Sequence, residues 1–162
     1  MLIFLPVLVP FMTAILCILF WGRREIHRPL SLLGSAVALL VALALLRTVS
    51  VNGIQVLQMG NWPAPFGISF VADLLSAVMI LVTAVMGLMV NIYALSEIDE
   101  TQEQNGYHIL YQLLLMGVSG SFLTGDLFNL FVWFEIMLIS SFVLLALKGE
   151  RAQLEGAVKY VT

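Results

Sequence analysis

Apolar residues fall in five long runs along the chain, at about 2–21, 29–46, 72–95, 107–124 and 127–147. Each approaches the ~20 residues that a helix needs to cross ~30 Å of hydrocarbon at ~1.5 Å per residue. The runs show no strict apolar–polar alternation, which a barrel strand would need. Backbone polar groups find no water in lipid, so an open-ended spanning segment has to be helical. Apolar sequence resumes at Ala157 and Val158 after a charged break. The pattern therefore predicts an all-α, polytopic helical membrane protein: five transmembrane helices plus the start of a sixth. The first run contains Pro6 and Pro10, and its positive charges, Arg23, Arg24 and Arg28, follow it. A secretory signal carries its charge ahead of the apolar stretch, so this run reads as an uncleaved first span.

The polar connections differ sharply. The first, at 22–28, is short and basic. The second, at 47–71, is long, nearly uncharged and rich in Gly, Pro, Asn and Trp. Its Asn52-Gly53 pair, between residues 49–51 and 54–57, predicts a tight hairpin turn. The third, at 96–106, carries Glu97, Asp99, Glu100 and Glu103 and reads as a solvated loop. The fourth is little more than Gly125-Asp126. Asp73 and Asp126 each stand where a helix begins and read as caps, an acid being favourable at the positive end of the helix dipole. Cytoplasmic loops collect Lys and Arg. Arg23, Arg24, Arg28, Lys148, Arg151 and Lys159 lie on the side of the odd-numbered connections, against Arg47 alone on the other. That asymmetry places the N-terminus outside.

Composition excludes a soluble domain. Of 162 residues, 61% are hydrophobic and 10% charged, against about 45–50% and about 25% in soluble domains. The formal net charge of −3 carries no basic footprint, so nucleic acid is not a partner. Cys17 is the single cysteine, which rules out an intrachain disulfide and a multi-cysteine metal site. The length suits one membrane domain over 1–162 and no separate soluble domain. Stopping as a sixth helix begins reads as the front part of a longer protein or a truncated product.

Glu135 is the first candidate for chemistry. It lies nine residues past Asp126 and thirteen before Lys148, or ~13 Å and ~20 Å along a helix. That is close to mid-membrane. A carboxylate there is costly unless paired, hydrated or protonated, which suits a group that takes up and releases protons. Its neighbours three and four residues away, Phe131, Val132, Leu138 and Ile139, are apolar, so a partner has to come from another helix. The competing reading is a permanently neutral Glu bonded to a hydroxyl for packing. Lys159 is the second candidate, either in a cation or proton path or snorkelling to the interface. His27 and His108 stand singly at span ends and read as interface residues. Gly34, Ser35, Ala36 and Ala38 suit close helix approach. No phosphate loop, catalytic triad or haem-spaced histidine pair is present.

Two stretches carry a resemblance. Gly60-Asn61-Trp62-Pro63-Ala64-Pro65-Phe66-Gly67-Ile68, and the run from Thr124-Gly125-Asp126-Leu127-Phe128-Asn129 through Trp133-Phe134-Glu135-Ile136 to Ser140-Ser141, resemble the D subunit of Mrp-type multisubunit sodium/proton antiporters. More broadly they resemble the antiporter-like subunits of respiratory complex I and membrane-bound hydrogenases. The resemblance implies that Glu135 matches a glutamate working beside lysines of later helices, and that Lys159 matches a lysine at the start of the sixth helix. It implies leading helices over about 1–95 and the start of a first inverted repeat over about 107–162. It further implies sibling antiporter subunits, a monovalent cation, protons and the lipid bilayer as partners. No cofactor or metal is implied, and the setting is a prokaryotic plasma membrane. The activity implied is that of a secondary transporter subunit, not an enzyme. Two rivals are a proton-pumping subunit of a respiratory NADH dehydrogenase or hydrogenase, and a non-transporting structural membrane module.

Overall fold

A computed structural model describes residues 2–61, 67–149 and, further on, residues 153, 156 and 159. Trp62 to Phe66 of the first motif, Arg151, and the apolar resumption at Ala157 and Val158 lie outside the described residues. In chain order the elements are α1 (Leu5–Leu19), α2 (Arg24–Asn52), β1 (Gln55–Gln58), β2 (Ser69–Ala72), α3 (Leu74–Glu97), α4 (Glu100–Gln104), α5 (Tyr107–Leu123) and α6 (Leu127–Ala146). Four stretches, Leu2–Leu19, Glu25–Asn52, Leu74–Glu97 and Leu127–Ala146, are long and apolar enough to cross a membrane. α5 is apolar but shorter, at 17 residues. The protein is an all-α membrane protein with one small two-stranded sheet among the described residues.

The helix ends follow from local chemistry. α1 starts with Pro6 in its first turn, where a missing N–H costs nothing. α2 runs beyond the predicted 29–46 at both ends. Pro29 near its start removes a single backbone bond. Thr48 and Ser50 near its end donate their hydroxyls to the Ala44 and Leu46 carbonyls, so polar residues there stay helical. The predicted Asn52-Gly53 hairpin turn does not form. Gly53, at φ 74°, terminates α2 instead, its N–H donating to the Val49 carbonyl at 2.9 Å. The same left-handed freedom serves a helix stop as readily as a turn. β1 pairs antiparallel with β2, Gln55 opposite Ala72 and Gln58 opposite Ser69.

Both predicted caps are present. The Asp73 carboxylate accepts from Ser76 N–H at 2.7 Å while the Ser76 hydroxyl accepts from Asp73 N–H at 2.8 Å, a reciprocal box that starts α3. Asp126 accepts from the backbone and side-chain nitrogens of Asn129 at 2.7 and 2.9 Å and starts α6. It also ties the sheet to the bundle, since Ser69 N–H reaches its second oxygen at 3.3 Å and Gly125 N–H donates to the Ser69 carbonyl at 2.8 Å.

α2 packs on α1 and α3, and α5 packs on α1, α3 and α6. Small residues let these helices approach. A Cβ on Gly34 would lie 2.3 Å from Thr13 Oγ1 on α1, as the stripe around Gly34 predicts. The buried core collects at the sheet end, where Ile3, Val7, Leu45, Val49, Ile80 and Leu123 surround Phe70. The Phe70 ring meets Phe4 edge-on at 5.5 Å and Trp133 at 6.2 Å.

Candidate functional site

Glu135 lies on α6, well inside the helix, on its exposed face. α6 meets α5 through Trp133 and Met137, which close over Gly120 and Gly117. Two residues along an α-helix turn the side chain by ~200°, so Glu135, midway between those contacts, points away from α5. Phe131, Phe134, Leu138 and Ile139 are exposed around it. Among the described residues it makes no hydrogen bond and no ion pair, and no hydroxyl holds it. Lys159 is helical and exposed. The structure does not bring Glu135 and Lys159 into contact.

A second constellation lies at the opposite end of the bundle from the sheet, where α1 turns into α2 and α4 into α5. The predicted solvated acidic loop is in part the short helix α4, and Glu103 within it is 3% exposed. Its Oε1 accepts from Arg28 Nε at 2.6 Å and lies 3.6 Å from His108 Nε2. His108 and His27 are buried at 1% and 4% exposure, their rings 6.5 Å apart and edge-on. Read from sequence they stand apart at the interface; folding buries them together because α2 and α5 both start at this end. His27 Nε2 donates to the Phe20 carbonyl at 3.1 Å. His27 Nδ1 and both ring nitrogens of His108 have no hydrogen-bond partner. On the rim, Lys148 Nζ lies 3.5 Å from Asp99.

One turn deeper the polar residues continue. Ser31 and Ser35 on α2, Asn91 on α3 and Gln112 on α5 are all buried. Asn91 Nδ2 donates to the two serine hydroxyls at 2.9 and 3.0 Å. Gln112 Nε2 donates to the same hydroxyls at 3.1 and 3.2 Å and to the Ser31 carbonyl. The amide oxygens of Asn91 and Gln112 remain without partners. Neither cluster emerges from sequence reasoning that weighs residues singly. The signal is their spacing: His27, Ser31 and Ser35 recur every fourth residue, as do His108 and Gln112, so each set lines one helix face. No group of acids, histidines and cysteines that could hold a metal occurs among the described residues.

The chain is 41% identical over 159 residues to the D subunit of the Na+/H+ antiporter of Bacillus subtilis, and 43% identical over 160 residues to that of Alkalihalophilus pseudofirmus. These alignments cover 98% and 99% of the chain. Over this stretch it is similar to antiporter D subunits. The chain spans about a third of the length of these relatives, 32% in each case. No family model matches it. Solved structures share the fold. A chain of the Mrp complex from Dietzia superposes with a TM-score of 0.79 at 32% identity, covering 88% of this chain and 26% of that one. A chain of a membrane-bound sulfane sulfur reductase, an archaeal respiratory membrane complex, superposes at 0.85 with 29% identity, covering 99% and 32%.

Proposed function

We propose that this chain forms part of a subunit of a multisubunit monovalent cation/proton antiporter, and that Glu135 is a proton carrier in its ion path. The observation that carries the reading is the identity of 41–43% with the D-subunit relatives over nearly the whole chain. The placement of Glu135 supports its role. A carboxyl group in the middle of an apolar helix is costly against lipid and is tolerated where protein or water covers it. The α6 face that carries it is left open by α1–α5, and the relatives have about two thirds of their length beyond this match. That face is where the remaining helices of such a subunit would pack, bringing a partner cation to Glu135. Lys159 joins the path in a secondary role.

In the bilayer we take α1, α2, α3, α5 and α6 as five spans and the N-terminus as outside. α5, at 17 residues, is ~26 Å long and fits a slightly thinned bilayer. The leading helices then occupy about 1–95 and the first repeat opens at about 107. The setting is a prokaryotic plasma membrane and the partners are sibling antiporter subunits. The likeness to a respiratory membrane complex supports a second reading, a proton-pumping subunit coupled to a redox arm. The test is Glu135→Gln in the assembled complex, with cation-dependent proton flux followed in vesicles. Near-complete loss is expected; unchanged flux would sink the carrier role and favour a structural module.

A further inference from the structure

Glu103 lines two cavities, His27 lines the inner one, and His108 packs beside both residues. The outer one, about 340 Å³, is lined by Glu25, Arg28, Glu100 and Glu103. Its lining is rich in carboxylates, and an acidic mouth attracts cations and protons. The inner one, about 70 Å³, is lined by Trp21, Gly22, His27, Glu103, Gln104 and Gly106. A water needs only ~10–15 Å³ of such volume, so there is room for more than one. Glu103 lines both spaces although it is 3% exposed.

We propose that Glu103, His108 and His27 form a proton-binding site, loaded from the acidic mouth and continued inward by Ser31, Gln112, Ser35 and Asn91. The chemistry favours the imidazoles as the seat of the proton. Phe20 offers only a carbonyl to His27 Nε2, so that nitrogen carries hydrogen and His27 Nδ1 is the bare acceptor. Both ring nitrogens of His108 are buried without a hydrogen bond, Nε2 having only the Glu103 carboxylate at 3.6 Å, a condition that a proton or a water relieves. Oε1 of Glu103, already accepting from Arg28, is the counter-charge 3.6 Å from His108 Nε2. With the rings 6.5 Å apart, a proton on one opposes a proton on the other. The pair therefore holds one proton.

The other groups facing the site are few among the described residues. α2 supplies Glu25 and Arg28, α4 supplies Glu100, and α5 supplies Tyr107, its ring edge-on to His108 at 5.4 Å. The end of α1 supplies Trp21, which has no charge. Inward, Ser31 and Ser35 follow His27 on the same α2 face, and Gln112 follows His108 on α5. Past Ser35 the buried α2 positions are Ala42, Leu45 and Val49, packed with Val7, Ile80 and Phe70. A proton enters this column and does not cross it. The site is separate from Glu135 on the far face of α6 and does not rest on the role proposed for that residue.

The chain has two histidines, so ¹⁵N-imidazole spectra of the full chain in lipid nanodiscs contain two ring systems, assigned with His27→Asn. The expected result is that the two ring signals respond to pH together. Glu103→Gln should lower the His108 midpoint by about one pH unit. Glu103→Asp, which keeps the charge, should shift it by less than half as much and stands in if the Gln variant does not fold. Rings that fail to titrate between about pH 5 and 8, or midpoints unmoved by Glu103→Gln, overturn the proposal. A shift caused by sodium at fixed pH also overturns it, in favour of a metal-cation site. None of these readouts requires transport.

Discussion

Gly120 faces the indole of Trp133 so closely that a Cβ built on it would lie 2.2 Å from Trp133 Cδ2. One turn earlier, a Cβ on Gly117 would lie 3.0 Å from the Met137 backbone nitrogen. The α5–α6 contact therefore depends on two missing side chains, and Gly120→Ala has to push the indole or the whole of α6 outward. Overpacking of this kind costs about 1–3 kcal/mol. A lower unfolding midpoint in mixed micelles is the expected result; an unchanged midpoint would mean that the indole moves freely.

Asp126 couples a helix start to the sheet, and its titration links both to pH. Burial pushes the carboxyl up, but the hydrogen bonds from Asn129 and Ser69 outweigh it and hold the group below its ordinary value. Hydrogen bonds from Ser76 do the same for Asp73. A depressed folded pKa gives stability that is complete above the unfolded value of ~3.9 and fades as pH falls toward the folded one. Asp126→Ala should cost about 1 kcal/mol at neutral pH, as lost caps do, and should flatten the decline in stability below about pH 4. Unfolding curves at pH 7 and pH 3 check both; an equally steep acid decline in the variant would contradict the assignment.

Arg28 and Glu103 are 75 residues apart in sequence and bonded at 2.6 Å. Arg28→Gln leaves Glu103 buried without its cation, at a cost of about 2 kcal/mol. The cost stays below that of a fully buried pair because the guanidinium is 44% exposed. Adding Glu103→Gln to Arg28→Gln should recover part of the loss, so the double-mutant cycle has a coupling term of at least about 0.5 kcal/mol. Additive effects would show that the pair contributes nothing.

Asn91 bridges α3 to α2 through two serine hydroxyls. Hydrogen bonds between membrane helices average about 0.6 kcal/mol. Asn91→Leu is therefore expected to destabilise by about 1 kcal/mol and to speed hydrogen exchange in α3 more than in α6. Equal exchange in both helices would deny the bridge.

Much of the fold was legible because lipid leaves few options. Runs of the right length with no alternation had to be helices, and Asp73 and Asp126 had to cap them. Two misreadings share one cause, which is that local chemistry is degenerate. A positive φ at Gly53 suits a hairpin turn and a helix end alike, and only the position of β2, which begins sixteen residues later, decides between them. Glu103 looks like a solvated loop residue because Arg28 and His108 reach it from two other elements. Glu135 was visible as an acid in an apolar run; that it points away from α5 depends on Gly117 and Gly120 drawing the opposite face of α6 inward.

The polar column ends at Ser35, and apolar packing around Leu45 and Phe70 fills the rest of the bundle. Between Ser35 and the sheet end the buried polar side chains thin out to hydroxyls such as those of Thr13 and Ser119. A charge crossing this bundle would meet its barrier there.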